Sequence, residues 1–194
     1  GPSFARTQIA PFLPEFTALY PDLRIEFRLG PRFVGLADDM DIAIHFGALA
    51  DSSLVLRKLA TSRRVLCASP AYLKRHGTPH EPAQLAQHNC LNYSEFESRA
   101  RWSRGARRSK PVALSGSLTT NSGVLLMNAL LAGQGIVTGP DLMFEPYLKR
   151  RQLRVVLDDE ARAPVGLYAV YPQGRYAPVN RRALVDFLAA ELAR

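Results

Sequence analysis

The chain has 194 residues, of which 47% are hydrophobic and 22% are charged, as is typical of a globular protein with a sizeable core. No apolar run approaches the ~20 residues that span a bilayer, and no basic segment leads into an apolar stretch as in a secretory signal. Of the net charge of +8, a large share lies between Arg99 and Lys110. This polar, basic segment favours a solvated hairpin or a loop that docks an anion or a partner. It contains no DNA-reading motif, so the charge alone does not indicate DNA binding.

Two cysteines, Cys67 and Cys90, lie in apolar, strand-like contexts. Two are too few for a disulfide framework, so they indicate a reducing, cytoplasmic location.

Helices and strands alternate in the first part of the chain. The apolar residues of the first predicted helix share one face: Ile9, Leu13, Phe16 and Tyr20. Pro21 ends this helix, and strict alternation from Leu23 to Leu29 predicts a half-buried strand. A short helix at Val34–Met40 and a strand at Asp41–Gly47 follow. This order predicts a parallel or mixed α/β sheet.

A long strand at Leu54–Ser69 and a helix that opens at Pro70 and stops at Gly77 begin the second part. Further elements are predicted as a helix at Ala83–His88, strands at Cys90–Tyr93 and Val112–Leu118, a helix from Asn121 or Ser122 to Ala132, a strand at Gly135–Pro140, a helix at Leu142–Arg151, strands at Leu153–Leu157 and Val165–Pro172, and a last helix through Leu184 and Leu192. The long strands near 61–69 and 165–172 bracket the rest. They predict one lobe inserted into another.

Several short motifs occur in a characteristic order along nearly the whole chain. They are Ile9-Ala10-Pro11-x-Leu13-Pro14-x-Phe16, Tyr20-Pro21-Asp22, Asp41-Ile42-Ala43-Ile44-His45-x-Gly47, Cys67-Ala68-Ser69-Pro70, Pro82-x-x-Leu85-x-x-His88-x-Cys90-Leu91, Thr120-Asn121, Ala132-Gly133-x-Gly135-Ile136 and the strand Leu153–Leu157. Each motif alone is weakly specific. Together and in this order, they resemble the effector-binding domain of LysR-type transcriptional regulators.

The resemblance implies an α/β, two-lobed, periplasmic-binding-protein-like (type 2) domain whose lobes are joined by two crossover strands. Lobe I is predicted at residues 1–66 plus 168–194 and lobe II at 67–167, with a small-molecule effector bound between them. It also implies a homodimer or homotetramer that binds DNA through an N-terminal winged helix-turn-helix, which this sequence does not contain. The sequence departs from the family pattern in two places: the strand that usually precedes Ser3 is missing, and His45 often corresponds to arginine.

Ligands of open α/β sheets bind beyond the carboxyl ends of the strands, where helix N-termini offer unpaired N–H groups and partial positive charge. Segments Ser3–Ala5 and Thr119–Gly123 are such places, so a small carboxylate is the predicted effector. The predicted contacts are Ser3, Phe4, His45, Phe46, Thr119, Thr120, Asn121, Gly139 and Pro140. Simpler roles stay open for some of them: a helix cap at Asn121 or Ser122, a structural histidine at His45, and a turn at Gly139 and Pro140.

No catalytic, cofactor or metal motif is apparent. The glycines Gly133 and Gly135 follow a helix and precede a strand, the reverse of a dinucleotide fingerprint. Zinc-type side chains occur without finger or ribbon spacing at Cys67, His76, His80, His88 and Cys90. No Gly-x-Ser-x-Gly elbow is present. The resemblance therefore implies a ligand-sensing regulatory domain, and the residues suggest no enzyme, cofactor or metal site; the alternative is a periplasmic-type solute-binding protein.

Overall fold

The structure is a computed structural model, and it describes residues 4–29, 40–47, 54–94, 101–102, 112–158, 164–173 and 179–192. Its α-helices are α1 (Leu13–Leu19), α2 (Pro70–His76), α3 (Gly123–Leu131), α4 (Asp141–Lys149) and α5 (Val179–Glu191). Its strands are β1 (Ala43–Phe46), β2 (Leu54–Ala68), β3 (Cys90–Tyr93), β4 (Arg101–Trp102), β5 (Val112–Ala113), β6 (Thr119–Thr120), β7 (Ile136–Pro140), β8 (Arg154–Val156) and β9 (Pro164–Pro172). The predicted contact Ser3, the predicted helix up to residue 39 and most of the Arg99–Lys110 segment lie outside the described residues.

The chain divides into two compact units. The terminal unit comprises residues 4–62 and 164–192 of the described chain, and the central unit comprises residues 63–158. The proposed lobe boundaries at 66/67 and 167/168 concern the effector-binding lobes and stay a prediction.

In the terminal unit, β1 pairs antiparallel with β9, from Ala43 opposite Val170 to Phe46 opposite Leu167. The strand order continues from β9 to β2. The chain enters α1 through a π-helical turn (Ala5–Ile9) and a 3₁₀ turn (Ala10–Phe12). The regular α-helical hydrogen-bond pattern is interrupted here because Pro11 and Pro14 have no N–H to donate.

The predicted face of the first helix anchors it in the core. Phe16 is fully buried, with its ring centroid 5.1 Å from that of Phe187 in α5 and 4.8 Å from that of Tyr20. The helix ends one residue before Tyr20, close to the predicted stop at Pro21.

The predicted strand at Leu23–Leu29 is wrong. The segment has no strand assignment, and no described strand pairs with it. Leu23 and Ile25 are half-buried, whereas Phe27 and Leu29 are 41% and 54% exposed. Alternation favours an extended chain, but a strand also requires hydrogen bonds from a neighbour.

The central unit contains a mixed sheet in the order β2–β7–β3–β6. Strands β7, β3 and β6 are parallel, and β2 is antiparallel to β7. Strand β8 pairs antiparallel with residues of β2 that also pair with β7, so it lies along the other edge of β2. This arrangement confirms the predicted α/β class.

The sheet of the central unit has an apolar core on each face. The first core includes Leu66, Ala68, Cys90 and Ile136 from the strands, with Tyr72 and Leu85 packed on them. The second core includes Val65, Cys67, Leu91 and Val137, covered by Leu126, Leu130 and Phe144 of α3 and α4. Successive strand residues alternate between the two cores, as the pleat requires.

Helix α2 is confirmed, with the predicted signals at both ends. The Ser69 hydroxyl accepts a hydrogen bond from the Tyr72 N–H at 3.3 Å, and Pro70 occupies the first turn. Gly77 ends the helix at a φ of 81°, a conformation that disfavours residues with a Cβ.

The predicted strand at Val112–Leu118 is confirmed only at Val112–Ala113, where β5 pairs antiparallel with β4. Gly116 lies against β3: a Cβ added to it would be 2.1 Å from the Cys90 carbonyl oxygen. The Asn89 carboxamide oxygen accepts from the Ser117 N–H at 2.7 Å. This side-chain bond replaces part of a regular ladder, so the strand resumes only at Thr119.

Candidate functional site

Several predicted contacts lie at the carboxyl edge of the central sheet. Asn92 and Tyr93 of β3 pair with Thr119 and Thr120 of β6, and β7 ends beside β3 at Pro140. Because the three strands are parallel, their carboxyl ends meet at one edge, where ligands of open α/β sheets bind. The fold therefore brings Thr119 and Thr120 to the same edge as Gly139 and Pro140.

The N-terminus of α3 opens at this edge. The Ser122 hydroxyl accepts from the Leu125 N–H at 3.3 Å, so Ser122, not Asn121, caps the helix. The Thr120 hydroxyl oxygen accepts from the Ser122 N–H at 3.0 Å, which leaves its O–H able to donate. The Asn121 side chain is exposed.

The N-terminus of α4 already holds a carboxylate. Asp141 accepts from the Leu142 N–H at 2.8 Å and from the Arg63 backbone N–H at 3.2 Å. The Arg63 guanidinium lies 3.3 Å from Asp141 and 3.2 Å from Asp158. An anionic ligand at this terminus would meet the charge of Asp141, so α3 offers the better anion site.

Polar side chains form a row across one face of the sheet at its carboxyl edge. Leu66 is opposite Thr138, and Arg64 is opposite Pro140. Leu66, Cys90 and Ile136 belong to the first core. Two positions closer to the carboxyl edge on the same strands are Arg64, Asn92 and Thr138, so their side chains point to the same face. We call these side chains, with Thr119 opposite Asn92, the polar row: Arg64, Asn92, Thr119 and Thr138.

Each member of the polar row has a distinct environment. Arg64 is half-buried, and desolvation by burial lowers its pKa from the usual 12.5. Asn92 donates from Nδ2 to the Cys90 carbonyl at 3.2 Å. The Thr138 hydroxyl oxygen is buried and makes no hydrogen bond within the described part of the chain.

Only Thr119 of the polar row was predicted from the sequence. Asn92 and Thr138 each appear as one polar residue in a short apolar strand, and Arg64 follows Arg63 in β2. The register across strands is needed to bring the three together. The sequence does contain one usable signal: along a strand, the residue two positions beyond a buried core residue points to the same face of the sheet.

Gly139 and Pro140 have clear packing roles. Gly139 lies opposite Val65, and a Cβ on it would be 3.1 Å from the Phe144 ring. Pro140 is buried and precedes the first turn of α4. Their predicted contact with an effector stays a prediction.

Phe4, His45 and Phe46 are the predicted contacts in the terminal unit. Phe4 is 3% exposed, and its ring meets that of Phe46 edge to face at 5.0 Å. His45 lies opposite Tyr168 in the β1–β9 ladder. Its Nδ1 lies 3.2 Å from the Gly47 carbonyl oxygen, and because a carbonyl only accepts, this bond requires the proton on Nδ1.

Metal and thiol chemistry find little support in the described residues. They contain no group of three or more His, Cys, Asp or Glu side chains that could hold a metal ion. Cys67 and Cys90 are buried free thiols, and burial raises the pKa of Cys90 to about 11. They belong to different cores, on strands separated by β7, so a disulfide between them would break the sheet. No described helix has the length and apolar character to cross a membrane.

Residues 1–193 match the family model described as LysR substrate binding domain. The chain belongs to this family. It is 34% identical over 196 residues to an HTH-type transcriptional regulator of Xanthomonas campestris pv. campestris, covering 98% of this chain and 57% of that relative. It is 32% identical over 190 residues to the HTH-type transcriptional activator TtdR of Escherichia coli K12, covering 96% of this chain and 61% of that relative. The chain therefore spans less than two thirds of these curated relatives.

Solved structures of this family confirm the predicted fold class. The regulatory domain of CrgA from Neisseria meningitidis aligns with a TM-score of 0.87 at 31% identity, covering 98% of this chain and 94% of that chain. Full-length AphB of Vibrio cholerae aligns with a TM-score of 0.78 at 27% identity, covering 96% and 64%. The fold is the periplasmic-binding-protein-like (type 2) fold of LysR regulatory domains. These relatives are transcriptional regulators, so the solute-binding alternative has no counterpart among them.

Proposed function

We propose that this chain is the ligand-sensing domain of a LysR-type transcriptional regulator, and that its effector is a small carboxylate. The observation that carries the proposal is the α3 N-terminus, which opens at the carboxyl edge of the central sheet, the edge at which the polar row also lies. Family membership supplies the regulatory role.

The preference for a carboxylate follows from the groups at this edge. The first turn of α3 presents backbone N–H donors and partial positive charge, and Arg64 adds a guanidinium. The Asp141 carboxylate at the start of α4 shows the same chemistry inside the fold. A ligand carboxylate at α3 would be held in the way that Asp141 is held at α4.

The proposed contacts remain Ser3, Phe4, His45, Phe46, Thr119, Thr120, Asn121, Gly139 and Pro140. In the central unit they supply donors for the carboxylate. In the terminal unit the paired rings of Phe4 and Phe46 suit an apolar part of the ligand, and His45, on the same strand as Phe46, is the proposed polar contact.

Signalling requires the effector to bind one conformation of the regulator better than another. We propose that this difference reaches DNA through a helix-turn-helix domain outside this chain, in a cytoplasmic homodimer or homotetramer. The HTH-type names of the relatives support the helix-turn-helix part of this proposal. As a sensor, the domain would release its effector chemically unchanged, whereas an enzyme on this fold would convert it.

Substitutions at the α3 N-terminus test the site. Thr120→Val removes a hydroxyl donor and Asn121→Ala removes an amide, so each should weaken binding of the effector carboxylate about tenfold, the equivalent of one hydrogen bond to a charged group. Calorimetric titration measures this, with Thr78→Val as a matched control at an exposed threonine of the same unit. Wild-type affinity in both variants would refute the assignment.

A further inference from the structure

We propose that the polar row selects effectors that carry a hydroxyl group next to the carboxylate, and that Thr138 binds this hydroxyl. The inference rests on the proposed function, because it specifies the effector chemistry of the same edge. Its residues are Arg64, Asn92 and Thr138, none of which belongs to the contacts predicted from the sequence.

The Thr138 side chain carries an unused hydroxyl. Its Oγ1 is buried and lacks a hydrogen bond within the described residues, although the residue as a whole is only half-buried. The exposed part of Thr138 is therefore not its hydroxyl oxygen. A buried polar atom without a partner is unfavourable and rare, and it calls for an explanation.

A bound ligand supplies that explanation. Threonine has alternative staggered χ1 rotamers, and rotation about Cα–Cβ exchanges the positions of its hydroxyl and methyl groups. A rotation that points Oγ1 at a ligand hydroxyl would give it the hydrogen bond that it lacks. A ligand that places a methylene group at this position would leave the unfavourable arrangement unchanged.

The neighbours of Thr138 fit a small polar ligand. Arg64 is one step diagonally away on β2, and the β3–β7 register carried one residue further places Asn92 beside Thr138. Adjacent strands are about 4.8 Å apart, so these three side chains span roughly 10 Å on one face. The row thus offers a cation, an amide and a hydroxyl on one face of the sheet.

The chemistry of the row also predicts discrimination. A site lined with hydrogen-bonding groups rejects an analogue that lacks the matching group, because its own polar atoms are then left unpaired. An unsubstituted carboxylate would use the α3 N-terminus but leave the row unsatisfied. The matched probes are malate against succinate and lactate against propionate, which differ by one hydroxyl.

The test is calorimetric titration of each pair into the wild-type domain and into Thr138→Val. The wild type should bind the hydroxy acid of at least one pair about tenfold more tightly, a preference worth one hydrogen bond. Thr138→Val should lose this preference while keeping the affinity for the unsubstituted acid. Thr138→Ser restores a hydroxyl and should restore the preference, and Thr78→Val is the control.

A melting curve of the free domain separates binding from structure. Thr138→Val removes an unpaired buried hydroxyl, so its melting temperature should equal or exceed that of the wild type. A lower melting temperature with unchanged ligand preference would indicate a structural role and overturn the inference. Equal binding of both acids of each pair by the wild type would overturn it as well, with the proposed function intact. Binding of none of the four acids would overturn the inference, whereas the proposed carboxylate effector is tested separately by a screen of a wider set of carboxylates.

Discussion

The Tyr72 side chain is a buried phenol at the centre of a polar cluster in the central unit. Its oxygen accepts from the Asn89 N–H at 3.0 Å and lies 3.1 Å from His88 Nδ1. The phenolic proton is thus left for Nδ1, which makes neutral His88 the acceptor. The His76 ring stacks on that of Tyr72 at 4.6 Å, and Arg75 and Cys90 also act electrostatically on Tyr72.

We expect these surroundings to make the central unit less stable in acid. Burial and then the nearby His76 lower the pKa of His88 from its ordinary value of 6.5. Below pH 6.5 the unfolded chain therefore binds a proton at His88 more readily than the folded chain does. The contribution of His88 to the free energy of unfolding is fully present above about pH 6.5 and falls as the pH drops. Urea denaturation at pH 7.5 and pH 5.5 should show the loss.

His88→Asn is the informative variant, because an amide oxygen can replace the Nδ1 acceptor without titrating. It should reduce the loss of stability between the two pH values. His80→Asn, at an exposed histidine of the same unit, is the control. An identical pH dependence in wild type and His88→Asn would contradict this account of the cluster.

At the level of helices and strands, the sequence predicted elements with local signals. Helix α2 has Ser69, Pro70 and Gly77 at its ends, and β7 is a short apolar run after a glycine, so both were found close to their bounds. The segment Leu23–Leu29 has the alternation of a strand but no described partner. Pairing is a property of two segments, and one pattern cannot predict it.

Helix α3 shows how strongly a buried face depends on packing. Leu130 is 0% exposed in the second core, whereas the adjacent Leu131 is half-buried. Leu130→Ala should lower the free energy of unfolding by about 2–5 kcal/mol, through lost burial and a residual cavity. Leu131→Ala should lower the free energy of unfolding clearly less than Leu130→Ala does. Urea denaturation measures both, and equal losses would show that the α3 packing is described incorrectly.

For the molecule as a whole, the sequence predicted the family and the sheet edge of the candidate site, but only one residue of the polar row. The sequence predicted that a helix begins within Thr119–Gly123, and the structure shows that Ser122 and not Asn121 caps it. Thr138 and Arg64 were missed because their shared face depends on the β2–β7 register. Sequence patterns indicate where strands end, whereas side-chain neighbours across strands require the fold.

Dimerisation is predicted from family resemblance and from exposed apolar residues. Leu19 is 60% exposed at the end of α1, and Phe27 and Leu29 are exposed in the extended segment that follows. We expect Leu19→Glu with Leu29→Glu to shift the domain from dimer to monomer in sedimentation experiments, because each buries a charge in the proposed interface. Val179→Glu, at an 81% exposed valine at the start of α5, is the control. A wild-type domain that stays monomeric at high concentration would contradict the prediction.

The central claim is that this domain binds a small carboxylate, and a thermal-shift screen against aromatic, aliphatic and hydroxylated carboxylates tests it most directly. A ligand at 100 times its dissociation constant adds about 2.7 kcal/mol to the stability of the folded state. For a domain of this size, that should raise the melting temperature by roughly 5–10 °C. The account predicts such a shift for at least one carboxylate, with the shift reduced in Thr120→Val. An unchanged melting temperature across the whole set would contradict it.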